Sequence, residues 1–477
     1  MLLDVHEWAG SRFRDTVFDV CVCGAGPAGI TLARQLASKG HTVALMESGG
    51  LQQTEESQRL YQGDNIGQPY YPLDACRLRY LGGTSNHWDG VTRPLDARDF
   101  EPLPHHPLNE WPIGKHDLDP YAEAAASILD LGPAHRTLDM FKAGGHFFLA
   151  PAYYRMSAPT RFGEKYRDEL TLSHSIALCL NASLFNIELV PGLGAVSRLA
   201  FRPTSGSSEQ FFIRARFYAL CCGGLENARI LLNADEQVPK GIGNANDLVG
   251  RFFNEHIEAG LGRAILTSPL LDSSTYIVTD AHLSKRQCLS YVISFAPEAL
   301  KCESESFVDR LKRALRGQDR KCFDCTVELQ GAQQAMNRDS RVTLSDKRDR
   351  FGLRQLALNW QLGPLDVLTV RSAALDAAEA LARHNIGRMQ VARFLRSEPT
   401  VPELAEHCVC QNHHMCTTRM SDAPQGGVVD ADCCVHGMNN LYIGGSSVFS
   451  SGGVSNPTFT IVQLALRLGD HLHQRLV

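Results

Sequence analysis

The first strongly patterned stretch is an apolar run, Val20-Cys21-Val22-Cys23, that breaks into Gly24-Ala25-Gly26-Pro27-Ala28-Gly29 and leads to a second apolar run over 42–46. Short apolar runs bounded by turn residues predict buried strands, and the segment between these two predicts a helix. Strand-like alternation returns over 176–219 and ends in Cys221-Cys222, a Gly223-Gly224 turn and a helix start running to Leu232. Further along, periodicity predicts a helix over 121–131, a strand over 356–362 and a helix over 365–384. Val428-Val429-Asp430 and Asn440-Leu441-Tyr442-Ile443 predict short strands about a turn at His436-Gly437. Ser455-Asn456-Pro457-Thr458 opens a final helix, with Asn456 expected as its cap and Pro457 at its first position. Ile461, Leu464, Leu468 and Leu472 then share one helical face, the stripe of a helix packed on a core.

No low-complexity linker or repeat divides these elements, so 477 residues predict interleaved units rather than separate beads. A composition of 44% hydrophobic and 21% charged residues is that of an ordinary globular protein. The formal charge of -5 gives no bulk attraction to nucleic acid or anionic membrane. The first nineteen residues lack the apolar core of a secretion signal, and no apolar run reaches membrane-spanning length. A soluble, cytoplasmic protein is therefore expected. The 15 cysteines are odd in number, and Cys21, Cys23, Cys221 and Cys222 sit in or at the ends of buried-looking strands, so most read as small core hydrophobes.

Strand, glycine turn and helix in succession, with Glu47 closing the next strand, is the pattern of a dinucleotide site. Gly24 permits the tight turn, Gly26 lets backbone approach a pyrophosphate, Gly29 lets helix and strand pack closely, and Glu47 would take ribose hydroxyls. The triad alone does not separate FAD from NAD. A second glycine loop, Gly82-Gly83-Thr84-Ser85-Asn86-His87-Trp88, follows. Zinc is the rival chemistry at Cys322-x-x-Cys325 and at the six potential ligands His407, Cys408, Cys410, His413, His414 and Cys416. Spacing disfavours it, since the first pair has no second pair and the adjacent His413 and His414 would point apart.

Four separated blocks resemble the glucose-methanol-choline oxidoreductases, FAD enzymes that oxidise alcohols. These are the triad with Glu47, the loop from Gly82 to Trp88, the turn Cys222-Gly223-Gly224-Leu225-Glu226-Asn227 with Gly250-Arg251-Phe252 beyond, and the block from His413 to Thr458. Asn440-Leu441-Tyr442-Ile443-Gly444-Gly445 and Ser455-Asn456-Pro457-Thr458 look most like the pyranose oxidases and related bacterial sugar oxidoreductases. The main branch usually has Asp where this chain has Gly445.

The resemblance implies an α/β fold in which a Rossmann-like FAD-binding domain (15–105, 170–256 and 405–477) is interleaved with an antiparallel-sheet substrate domain (106–169 and 257–404). It implies His413 as the base that takes the hydroxyl proton as hydride leaves for flavin N5, and Asn456 as its partner on the same oxygen. Gly24, Gly26, Gly29, Glu47, Gly83, Thr84, His87, Gly223, Gly445, Pro457 and Thr458 are the implied cofactor contacts. In pyranose oxidases and some choline oxidases the histidine matching His87 is bonded covalently to flavin; elsewhere in the family it only lies beside the ring, the reading preferred for His87. Cys416 departs from the usual glycine beside the base and is expected to reshape the substrate pocket or sit against the flavin. The implied reaction is oxidation of an alcohol, a secondary hydroxyl of a sugar, glycoside or aminosugar, with electrons passed to oxygen or another acceptor. A flavin-containing lyase on the same scaffold and oxidation of a non-sugar alcohol are the alternatives. The motifs choose neither the hydroxyl nor the oligomeric state.

Overall fold

In the computed structural model, which describes residues 1–7, 13–135, 139–141, 148–206, 209–268, 270, 273–297 and 323–477, the run from Val20 to Cys23 is buried in the middle of an eight-stranded sheet. Strand Val17–Cys23 pairs in parallel with Val43–Met46 on one side and with Phe211–Leu220 on the other. Ile176–Leu180 and Leu2–Asp4 extend the parallel part in one direction, and Leu441–Ile443 adds to Phe211–Leu220. The first half of Phe211–Leu220 leaves this arrangement and pairs antiparallel with Val196–Pro203, which pairs with Ala182–Leu189. Strands buried on both faces read as continuous apolar runs, and these do. Helices Pro27–Ser38 and Thr458–Leu476 pack on each other against the sheet, with Gly469 letting Gln35 come close.

The second large sheet is antiparallel, in the order Gly387–Val391, His256–Leu266, Phe323–Gln333, Tyr291–Pro297, Ser274–Val278, Leu149–Pro151. Cys408–Cys410 also pairs with the start of His256–Leu266, and helix Pro364–Arg383 covers the sheet. The chain is thus an α/β fold with an antiparallel second layer. The helix expected over 121–131 is Ala122–Ile128, and that expected over 365–384 is Pro364–Arg383. The strand expected over 356–362 is Arg354–Asn359.

Two local expectations are corrected. Val428-Val429-Asp430 forms no strand; Val429 makes only isolated bridges to Met420 and Val435, because the chain turns too soon for a ladder. The last helix begins at Thr458 with Pro457 in the capping position and no side-chain cap bond, so Asn456 does not cap it.

A buried ion cluster ties the first sheet's crossover helix to the loop before Gly82. Glu226, on helix Gly223–Asn233, accepts from Arg79 at 2.7 Å, Arg229 at 2.9 Å and Arg77 at 3.3 Å, and Arg229 reaches Asp349 at 2.6 Å. Burial disfavours the Glu226 carboxylate, but the guanidinium groups of Arg229, Arg79 and Arg77 more than offset this and hold it down at about 2. Removing one partner of such a buried set leaves uncompensated charge. Glu226→Gln should therefore cost about 3–5 kcal/mol in urea unfolding at pH 7. Because the folded-state value is depressed, that contribution is present above the ordinary carboxylate range and is lost as pH falls toward 2. The gap between wild type and variant should narrow on acidification from pH 5 to pH 3; a constant gap contradicts the assignment.

Candidate active site

Backbone packing at three glycine turns shapes one cavity of about 500 Å³. Gly24 has φ +98°, and a Cβ there would lie 2.6 Å from the Cys221 carbonyl oxygen; a Cβ on Gly29 would lie 1.9 Å from that of Gly24. These two glycines are required by the turn's own packing, whereas a Cβ on Gly26 would meet nothing within 4 Å. The second loop rests on the first turn: the Gly82 N–H donates to the Ala25 carbonyl at 2.8 Å, and a Cβ on Gly83 would come 3.2 Å from the Gly26 Cα. At the third turn, Cys222 N–H donates to the Asn227 amide oxygen at 2.9 Å, and the Asn227 amide donates to Ser447 Oγ at 2.9 Å.

The result is a cavity onto which three helix N-termini open, those of Pro27–Ser38, Gly223–Asn233 and Thr458–Leu476. Each brings a positive partial charge, a setting suited to an anion. Glu47 stands on the wall with its two oxygens accepting from the Ala25 and Gly49 N–H groups, each at 2.8 Å. Burial raises its carboxyl against the pull of those bonds. Glycine where a side chain would intrude, helix N-termini and an acid on one wall together fit a dinucleotide such as FAD.

The opposite wall is made by a mismatch in pairing. Ile257 pairs with Cys410, and Asn254 with Met415, so two residues on one strand, Glu255 and His256, face four on the other, Gln411 to His414. The surplus must bulge, and Gln411, Asn412, His413 and His414 all line the cavity. Asn412 takes a left-handed conformation at φ 59°, which asparagine tolerates. The bulge is held from behind, since Ser446 Oγ donates to the His414 carbonyl at 2.7 Å. A Cβ on Gly224 would lie 2.1 Å from that same carbonyl oxygen.

Within this wall His413 Nδ1 lies 2.9 Å from His256 Nδ1. Burial first, then the neighbouring His256 and His414, push the His413 imidazole well below its ordinary range, so it is uncharged near pH 7. His414 is pushed down to about 3 by burial and by Arg77. Glu255 Oε2 accepts from the backbone N–H of both His413 (3.0 Å) and His256 (3.1 Å), while its other oxygen takes the Tyr70 hydroxyl. Burial dominates over these bonds and lifts the Glu255 carboxyl to about 7.

Of the residues singled out in the sequence, Gly24, Gly26, Glu47, Gly83, Thr84, His87, Gly223, His413, Gly445, Asn456, Pro457 and Thr458 all line this one cavity; Gly29 does not, being buried in the turn. Freed from capping, the Asn456 side chain is available to the cavity. The expectation for Cys416 is corrected: it is fully buried, at φ 70°, and is not part of the cavity wall. The left-handed backbone there is the physical reason glycine suits the position. Cys322 lies outside the described residues, and among those described no three His, Cys, Asp or Glu side chains are grouped to hold a metal ion. His407 instead bonds the Glu403 carbonyl at 2.8 Å and stacks on Phe394. Sequence reasoning missed Glu255, His256 and Arg77. The signal for the first two was a polar triplet, Asn254-Glu255-His256, wedged between Phe253 and Ile257 at a strand start.

Residues 336–465 match the family model described as GMC oxidoreductase. The chain is 25% identical to 6'''-hydroxyparomomycin C oxidase of Streptomyces lividus, over 95% of this chain and 91% of that one. It is 24% identical to 2-methyl-1,2-propanediol dehydrogenase of Mycolicibacterium austroafricanum, over 96% and 95%. Among solved structures, an FAD-dependent oxidoreductase from Chaetomium thermophilum shares the fold with a TM-score of 0.60 at 14% identity, covering 96% of this chain and 99% of that one.

The two roles found within the glycine triad are separable. Gly26→Asp has room for its side chain and should melt within about two degrees of flavin-free wild-type protein, yet emerge colourless because a carboxylate occupies a turn whose helix N-terminus suits an anion. Gly29→Ala should instead destabilise the protein by several degrees. Flavin absorbance and melting temperature of the two variants, measured side by side, check this; a fully yellow Gly26→Asp protein contradicts it.

Proposed function

We propose that the chain, similar to GMC oxidoreductases over residues 336–465 and along the length of its relatives, carries out FAD-dependent oxidation of a hydroxyl of a sugar, glycoside or aminosugar, with His413 as base. The observation that carries the reading is one cavity holding both the glycine turns with Glu47 and the pair His413 and Asn456. In this reading 15–105, 170–256 and 405–477 hold the cofactor, and 106–169 and 257–404 shape the substrate side. Gly24, Gly26, Glu47, Gly83, Thr84, Gly223, Gly445, Pro457 and Thr458 would hold FAD, which when bound would supply the acceptor for a hydride, one hydrogen nucleus with two electrons, from carbon. His413, kept uncharged by its surroundings, enters the reaction with a lone pair ready for the hydroxyl proton. Asn456 holds the same oxygen, and the three helix N-termini favour the negative charge that develops beside them.

One relative is named for the oxidation of 6'''-hydroxyparomomycin C and the other for dehydrogenation of a diol, so both names denote alcohol oxidation and favour turnover over lyase chemistry. Anaerobic mixing with a panel of sugars, glycosides, aminosugars and simple diols tests the substrate class: the sugar-like members should bleach the flavin. Bleaching by simple diols alone would replace sugar with a small alcohol.

His413→Ala should retain flavin and lose substrate-driven reduction at least about a hundredfold, the scale of a lost general base, with His414→Ala affected less. Since the His413 value is lowered, protonation disables the base only well below pH 6.5, and the reduction rate should be flat from pH 6.5 to 8. A reversed ranking of the two variants moves the base to His414. We read His87, a partly exposed wall residue whose imidazole is held down by partial burial and by Arg161, as a non-covalent contact. Acid precipitation should then leave the yellow colour in the supernatant; a yellow pellet would establish the covalent bond.

A further inference from the structure

We propose that His256 is a positioning residue that fixes His413 as the tautomer carrying its proton on Nδ1 and its lone pair on Nε2. The inference rests on the reading of His413 as base and adds what prepares it. Two ring nitrogens 2.9 Å apart cannot both be protonated or both be bare: one donates and one accepts. The direction is set at the far side of the pair. His256 Nε2 lies 3.2 Å from the Gly452 carbonyl oxygen, an atom that can only accept. His256 therefore carries its proton on Nε2, and in the uncharged ring its Nδ1 is bare. His413 Nδ1 must then be the donor, which leaves the His413 lone pair on Nε2.

The pair is built to hold that arrangement. His256 is 1% exposed, and the two rings stand nearly perpendicular at 86° with centroids 5.0 Å apart, so the donor of one ring meets the edge of the other. Glu255 fastens both backbones through one carboxylate oxygen, which fixes the spacing of the rings. A Cβ on Gly452 would lie 2.6 Å from Asn254 Oδ1 and 2.7 Å from Met415 Cε, so a side chain there would have to displace both, and the bare glycine lets its carbonyl stay against His256. Free imidazole side chains prefer the proton on Nε2, so a base that must offer Nε2 needs an acceptor at Nδ1. His256 supplies it without a formal charge.

The test is the ring-nitrogen spectrum of the flavin-loaded protein labelled with ¹⁵N-histidine, the His413 signals being assigned by their loss in His413→Ala. In wild type, Nδ1 should show the shift of a protonated ring nitrogen and Nε2 that of a bare one. His256→Leu, which removes the acceptor, should move the proton toward Nε2 and slow substrate-driven flavin reduction by about tenfold or more, with the substrate concentration for half-saturation little changed. His256→Asn, whose amide oxygen can take the same Nδ1 proton, should restore both the tautomer and most of the rate. A wild-type spectrum with the proton on Nε2 overturns the proposal even if a variant fails to fold. So does a Leu variant that keeps the wild-type tautomer, or Leu and Asn variants that behave alike. If His413→Ala reduces flavin at the wild-type rate, the base assignment fails instead, and the spectrum still decides the tautomer.

Discussion

The site depends on main chain meeting main chain with no side chain between. A Cβ on Gly24, on Gly29 or on Gly224 would lie within 2.6 Å of a carbonyl oxygen, that of Cys221, Gly24 and His414 respectively. Each approach brings a different stretch of chain to the same place: the first strand's turn against the end of Phe211–Leu220, the first helix against its own turn, and the bulge that bears His413 against the third turn. Because the contacts involve backbone, they fix the positions of helix N-termini rather than of flexible side chains. Three helices consequently end at one cavity, and their partial positive charges add there. The anion site follows from close packing.

That dependence explains what could be read from the sequence. A glycine forced by a clash, as at Gly24, Gly29 and Gly224, or by a left-handed φ, as at Gly83 (55°) and Gly223 (88°), has no ready substitute, so these turns announce themselves as motifs within a few residues of chain. Val20 to Cys23 and Val43 to Met46 are buried on both faces and are equally plain. The wall bearing His413 is different, because its shape comes from the pairing of Ile257 with Cys410 and of Asn254 with Met415, partners more than 150 residues apart. No local pattern records that two residues there face four. The polar triplet Asn254-Glu255-His256 stands out in the chain, but that it lies opposite His413 is not recorded locally, and only His413 was named, from a motif. The start of the last helix was misjudged by one residue for a smaller reason: a proline can serve as the flanking residue as readily as the first helical one, and asparagine before it then has no cap to make.

Charge is handled in opposite ways on the two sides of the cavity. Behind the turn at Gly223, Glu226 is kept ionised by Arg77, Arg79 and Arg229, a dense buried set that locks loop to helix. Around His413 burial dominates, so His256, His413 and His414 are all driven toward the neutral form. Arg77 belongs to both regions: it pairs with Glu226 and also lowers His414. The buried ion pairs thus sit behind the turn at Gly223, while the three imidazoles about His413 are left uncharged.

Backbone strain marks the same segment. Asn412 and Cys416, at φ 59° and 70°, bracket His413 with left-handed conformations that cost non-glycine residues roughly 1–2 kcal/mol each. Nothing local repays this. Asn412 is tolerated because asparagine bends back on itself readily, but Cys416 has no such excuse, and it is fully buried with its N–H given to the Ser446 carbonyl at 3.1 Å. The surroundings must therefore over-determine its conformation: Met415 exchanges two hydrogen bonds with Asn254, Thr418 donates to Ser447 at 2.8 Å, and the chain between has no freedom to relax. His413 is consequently placed by tertiary contacts on both flanks rather than by its own loop, and the strain at Cys416 is carried by the scaffold, outside the cavity wall.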